Sequence, residues 1–207
     1  MQVITYIFAK GFGRSLEKDA TERIIDAAIE LVSQKGYKAA TTKAIAELAN
    51  VNEITIFRNF GNKRGLLNAI VQKFSYGPVL QKIIQEETIW ELEADLYNFS
   101  ITYQKFMMSI KEFVLISFKE AGIFPEIEEE ISKVPLLIKG ELMDYFHAMK
   151  VQGKLADVDI EATVMALISL NFGYFVSRAR LDAKVTDIST DDFLKTSILI
   201  FSRGLTP

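Results

Sequence analysis

Residues 41–74, TTKAIAELANVNEITIFRNFGNKRGLLNAIVQKF, decide how the rest of this 207-residue chain is read. Thr41 or Thr42 offers a hydroxyl to the unpaired N–H groups at the start of a helix. Ile45, Ala46, Leu48 and Ala49 supply that helix with an apolar side. Asn50-Val51-Asn52 then reads as a turn. Asn50 accepts the left-handed conformation that ends a helix, and Asn52 is a natural N-cap for the next one. The second helix is predicted over 53–60, where Ile56 and Phe60 lie four residues apart and share a buried face. Gly61 closes it, Asn62 caps a third helix, and Lys63 stands at the start of that helix ahead of Leu66 and Leu67. The pattern predicts two short helices joined by a tight turn, followed at once by a third.

The opposite face of the second helix carries Ile54, Thr55, Phe57 and Arg58. A solvated face ordinarily carries Glu, Lys or Gln rather than an isoleucine and an aromatic ring. In a helix-turn-helix the second helix enters the DNA major groove, and there each of these side chains has a use. Arg58 suits a guanine edge or a phosphate, Thr55 a phosphate, and Ile54 a thymine methyl. The competing reading is that Ile54 and Phe57 pack against a neighbouring helix.

Upstream, Ile24, Ala27, Ala28, Leu31 and Val32 recur at helical spacing and lead into Gly36-Tyr37. With Thr41-Thr42, Ile45-Ala46, Thr55-Ile56-Phe57, Phe60, Lys63 and Leu66-Leu67 in order behind them, residues 21–74 resemble the N-terminal domain of the TetR/AcrR family of bacterial transcriptional regulators. The resemblance implies that Thr42, Lys43, Thr55, Phe57, Arg58 and Lys63 touch DNA. For Lys63 the N-terminus of its own helix already favours a phosphate. Two positions depart from the family pattern. Asn50 stands at the turn glycine, and Ile54 replaces a glycine early in the recognition helix, which alters how closely the backbone approaches bases.

Charge divides along the chain. Residues 1–75 hold 11 Lys and Arg against 7 Asp and Glu, whereas the remainder is acidic, and the whole chain carries −3. A basic head on an acidic body suits phosphate contact at one end. A pI near 5.4 argues against indiscriminate polyanion binding. The chain contains no cysteine, which excludes disulfides, thiolate metal sites and a cysteine nucleophile. Residues 1–20 are read as an N-terminal extension. Its run MQVITYIFA lacks the preceding positive charge and the cleavage site of a secretory signal and is too short to cross a bilayer. It is a strand-like or irregular extension, a segment packed on a neighbour, or a mis-chosen start, unless Arg14 and Lys18 form an arm along DNA.

Past residue 75 the expected class remains all-α, so residues 21–75 form a helix-turn-helix domain and 76–207 a helical body. Gly77-Pro78 interrupts the fourth helix, and a helix pair follows over about 92–109 and 111–121. The acidic run Glu126, Glu128, Glu129 and Glu130 reads as a solvated helix face. A further helix is expected after Pro135. Apolar residues surround much of the last two helices, about 159–181 and 190–203, which suits burial on several sides in a two-fold four-helix bundle. A larger monomer core is the competing reading. Gly173, in mid-helix, fits close helix packing.

The resemblance implies that the last two helices form a homodimer and that the body encloses a small-molecule effector site. Phe99, Tyr103, Met107, Phe118, Tyr145, Met149, Asn171 and Tyr174 are the candidate lining, with Phe106 and Phe146 beside them. Aromatic and methionine side chains suit an apolar or amphipathic ligand. His147, the only histidine, is expected on an exposed helix position. No metal, cofactor or catalytic residue is assigned, and no enzyme is expected. The expected protein is a cytoplasmic transcriptional regulator on a double-stranded DNA operator, with no membrane partner. It is read as a repressor released by its effector; the alternative is a ligand-independent regulator with a filled C-terminal core.

Overall fold

The computed structural model describes residues 19–207, whose regular elements are all helices, ten of them α-helices among the described residues. They divide into two compact units: residues 19–73 together with Glu112–Glu130, and Phe74–Lys111 together with Ile131–Pro207. The first unit thus takes in a segment from well beyond residue 75.

In the first unit α1 (Ala20–Lys35) starts at Asp19, whose side chain accepts the Glu22 N–H at 2.8 Å. It buries Ile24, Ala27, Ala28 and Leu31 and stops at Gly36, which has a φ of +81°. The helices α2 (Thr42–Ala49), α3 (Glu53–Phe60) and α4 (Lys63–Lys73) follow with the caps that their sequence predicts. Thr41 Oγ1 accepts the Ala44 N–H, Asn50 sits in the left-handed region (φ 52°, ψ 53°), Asn52 Oδ1 accepts the Ile54 N–H, and Asn62 Oδ1 accepts the Gly65 N–H. α1 packs on α2, α3 and α4, and the Lys73–Asp26 ion pair at 2.8 Å ties α4 to α1. A methyl group at Gly65 would stand 1.9 Å from the Phe60 carbonyl oxygen, so the approach of α4 to the end of α3 depends on the missing side chain. Leu48 departs from expectation: it is 47% exposed, because Ile45, Ala46 and Ala49 already fill the buried side of α2.

α7 (Lys111–Ala121) from Glu112 onward and the opening of α8 (Pro125–Val151) complete this unit. In the acidic run Glu128 and Glu129 are exposed, as expected of a solvated face, and Glu130 departs from it. Glu130 is only 3% exposed; it accepts a hydrogen bond from Asn68 Nδ2 at 2.6 Å and lies 3.6 Å from Arg64 Nε. A glutamate flanked by glutamates gives no local sign that one of them has distant partners on α4.

In the second unit α5 (Gly77–Lys82) opens at the predicted break, with Pro78 in its first turn, and runs into a π-helical turn, Ile83–Glu87. α6 (Leu92–Ser109) packs against α9 (Ile160–Leu181) and α10 (Thr190–Arg203). α8 is unbroken from Pro125 to Val151, so the helix expected after Pro135 begins ten residues earlier. An internal proline removes one backbone hydrogen bond and crowds one carbonyl, a cost that the packing of Ile138, Leu142, Tyr145, Phe146 and Met149 outweighs. Tyr76 lies at the centre of an aromatic cluster, with Tyr103 edge-on at 5.3 Å and Phe106 at 5.2 Å. A buried polar network crosses from α6 to α9: Gln104 Nε2 donates to the Asn171 carbonyl at 2.8 Å, and Asn171 Nδ2 donates to Ser100 Oγ at 3.1 Å.

Two substitutions test this packing by chemical denaturation. Gly65→Ala should destabilise the protein by at least about 1–3 kcal/mol, as overpacking against an unyielding carbonyl does. Asn171→Ala should cost about 1–3 kcal/mol by removing the donor to Ser100 Oγ in the core, while Gln104 keeps the residue-171 carbonyl.

Candidate nucleic-acid interface

The capped ends of α3 fix which of its side chains face outward. Ile56 is wholly buried, whereas Ile54 is 72% and Phe57 47% exposed, with Arg58 exposed and Thr55 half-buried. Neither Ile54 nor Phe57 is taken into the core, so the competing reading, in which both pack against a neighbouring helix, does not describe this unit. A bulky apolar pair left in water beside an arginine is the arrangement that a base-reading surface uses: the arginine for a base edge or phosphate, the apolar groups for thymine methyls. Lys43 is exposed on α2.

Thr42 and Lys63 are placed differently. The Thr42 hydroxyl donates to Glu53 Oε1 at 2.6 Å and so links α2 to α3. The Lys63 ammonium donates to the Tyr37 carbonyl and lies 4.0 Å from the centroid of the Tyr37 ring. The Tyr37 N–H in turn donates to Glu120 Oε2 at 2.9 Å, and the Tyr37 ring meets Phe124 edge-on at 5.1 Å. Burial lowers the Lys63 ammonium from its ordinary value, while Glu126 and Glu120 pull the other way. Burial raises the Tyr37 phenol, with Glu126 adding and Arg64 opposing. Glu120 is buried, and sequence reasoning missed it. Its carboxylate holds the turn that joins α1 to α2. The only available signal was an unremarkable Lys-Glu-Ala ending of α7.

The residues expected around an effector do not form one group. Phe118 belongs to the first unit and is 55% exposed, apart from the other seven, because its position on α7 faces outward. In the second unit Phe99 and Tyr145 line a common cavity with Leu80, Ile83, Asp95 and Leu142. Tyr103, Met107 and Met149 are core, and Asn171 is occupied by the polar network. Tyr174 stacks on Phe193 at 3.9 Å, with its hydroxyl 3.2 Å from Thr190 Oγ1. The cavity volume is about 20 Å3, enough for a water-sized occupant. His147 is exposed, as its sequence position predicts. Arg14 and Lys18 lie outside the described residues.

The profile described as "Bacterial regulatory proteins, tetR family" matches residues 24–70, from mid-α1 through α4. The chain is 34% identical over 188 residues to the uncharacterised HTH-type transcriptional regulator YvkB of Bacillus subtilis strain 168, covering 91% of this chain and 98% of the relative. Among solved structures, GusR of Salmonella enterica superposes with a TM-score of 0.71 at 20% identity, over 92% of this chain and 100% of that one. NalD, the secondary repressor of the MexAB-OprM multidrug efflux pump in Pseudomonas aeruginosa, superposes with a TM-score of 0.69 at 19% identity, over 90% and 96%. The capped helix-turn-helix, the all-helical body and near full-length similarity to a transcriptional regulator agree: the chain belongs to the TetR family of bacterial regulatory proteins, DNA-binding transcriptional regulators rather than enzymes.

Proposed function

We propose that this protein is a cytoplasmic homodimeric repressor that binds a two-fold operator through α3 and leaves it when a small apolar or amphipathic effector enters the C-terminal unit. The observation that carries the DNA half is the outward trio Ile54, Phe57 and Arg58 on a helix capped at both ends. Arg58 takes a guanine edge or a phosphate, Thr55 a phosphate, and Ile54 and Phe57 the apolar floor of the major groove. Lys43 reaches a phosphate from α2. Thr42 and Lys63 act mainly by holding α2 and the Gly36–Tyr37 turn, with Lys63 still half-buried at the start of α4.

α9 and α10 supply the dimer contact. Met165, Gly173 and Ile200 lie exposed on them, and Phe172, Val176 and Phe201 are half-exposed. A methyl group at Gly173 would meet nothing within 4 Å in the single chain, so its lack of a side chain fits close approach by a partner helix. α9 is also long and apolar enough to cross a bilayer by composition alone. Burial of Val164, Leu167 and Phe175 beside these outward residues instead fits a helix covered on one face by its own unit and on another by a second copy. Two heads must then sit about 34–36 Å apart, or a multiple, to meet successive major grooves.

The effector half rests on the cavity beneath Phe99 and Tyr145, which must widen to admit a ligand. Its small present volume favours the second reading, a ligand-independent regulator with a filled core.

Selection of bound fragments from genomic DNA should recover a palindromic site. Arg58→Ala should weaken binding to that site by about ten- to hundredfold while sedimentation still reports a folded dimer. Unchanged affinity and sequence preference in this variant would remove α3 as the reading element.

A further inference from the structure

The cavity in the second unit has a chemical bias that its aromatic lining alone does not convey. Its walls come from the π-helical turn and from α6 and α8, and two carboxylates, but no lysine or arginine, are among its lining residues. Asp95, in the first turn of α6, is 8% exposed and accepts the Ile89 N–H at 3.0 Å and the Tyr145 hydroxyl at 2.9 Å. Both donors are neutral. Burial, and then the Asp95 carboxylate, raise the Tyr145 phenol, so Tyr145 stays a donor and brings no compensating charge. Glu87 stands exposed at the same cavity, held by Asn98 Nδ2 at 3.1 Å and paired with the Lys82 ammonium at 3.9 Å, so the charge bias of the cavity rests on Asp95. The Lys154 ammonium does not line the space; it donates to the Trp90 carbonyl and lies 3.8 Å from Glu91. A buried carboxylate without a cation beside it favours a positive occupant and repels a negative one. The rings of Phe99 and Tyr145 add the attraction that aromatic faces offer to an ammonium group.

The wall over this site is irregular. The π-helical turn Ile83–Glu87 is closed by Thr88, whose hydroxyl donates to the Ile83 carbonyl at 3.2 Å. Trp90 has a φ of +62°, a backbone conformation that is costly for a bulky residue, and its ring stacks on Tyr145 at 5.9 Å with planes 12° apart. π-turns and strained residues concentrate at ligand clamps because a strained wall has an alternative setting close in energy. The cavity volume is only about 20 Å3, the space of one water, so a larger ligand is admitted only if this wall moves.

We propose that this cavity is the effector site and that it selects a cationic amphiphile, an aromatic or alkyl ammonium whose charge pairs with Asp95 and whose apolar part lies between Phe99 and Tyr145. The proposal rests on reading the second unit as an effector domain and adds the ligand class. Asp95 also latches residues 88–91 through Ile89, so ligand pairing with Asp95 bears directly on the irregular wall.

The test uses the full-length protein and three probes of similar size: benzyltrimethylammonium, its neutral carbon isostere neopentylbenzene, and the anion phenylacetate. Melting temperature and release of the selected operator fragment are measured on the same samples. At about ten times its Kd the ammonium should raise the melting temperature by roughly 3–6 °C, and the other two should do little. Asp95→Asn keeps an acceptor for Ile89 and a partner for Tyr145; it should melt near the wild type without ligand and bind the ammonium at least about tenfold more weakly. If Asp95→Asn does not fold, the isostere comparison on the wild type decides alone. Equal shifts from all three probes, undiminished binding by Asp95→Asn, or no shift by the ammonium at millimolar concentration would overturn the proposal. Operator release by the neutral or anionic probe alone overturns the charge assignment but keeps the effector reading. Ammonium binding without operator release keeps the site and overturns release by effector.

Discussion

Both hydrogen-bonding groups of one peptide residue organise the head. The N–H of Tyr37 goes to the buried carboxylate of Glu120, and its carbonyl goes to the ammonium of Lys63. Buried backbone groups must be paired, so the residue that turns the chain from α1 to α2 is held by one side chain from α7 and one from α4. Gly36, with its positive φ, sets the direction of that turn and places its Cα hydrogens where a methyl group would lie 3.4 Å from Glu120. The orientation of α3 follows from this arrangement. α3 is pinned to α2 through Thr42 and Glu53, and to α4 through the bare backbone of Gly65 beneath the Phe60 carbonyl.

The same arrangement assigns different work to charges of one sign. Arg58 projects into solvent from the last turn of α3, Lys63 is drawn back over an aromatic ring, and Arg64 reaches Glu129 and Glu130. Only the first of these is free of a described structural task. A basic head is therefore less available to phosphates than its net charge implies, which fits recognition by a few placed contacts rather than by a broad positive field.

What was legible beforehand follows a physical dividing line. Thr41, Asn50, Asn52, Gly61 and Asn62 act on backbone groups two to four residues away, so their identities announced the ends of α2, α3 and α4. The outward face of α3 was readable for the same reason: helical spacing places Ile54 and Arg58 opposite Ile56. Glu120 and Glu130 were not readable, since their partners lie 83 and 62 residues away and no local pattern separates them from the glutamates around them. Phe118 misled because an aromatic at helical spacing looks the same whether it faces a core or solvent. Pro135 misled in the other direction, since its local penalty is smaller than the burial that α8 gains by continuing past it. Asp95 combined both difficulties: a first-turn carboxylate reads as ordinary helix-dipole chemistry until Tyr145 and Ile89 are brought to it by the fold.

The exposure of Ile54 and Phe57 also has a thermodynamic signature. Water hydrates these two apolar side chains in the free protein, and any surface that covers them releases it. Apolar dehydration lowers the heat capacity, so association through this face carries an enthalpy that becomes more negative on warming and an affinity that curves with temperature. Phosphate contacts respond chiefly to salt through counterion release. On the DNA-reading role proposed for this face, temperature and ionic strength would act on separate parts of one short helix: the first on its isoleucine and phenylalanine, the second on its arginine.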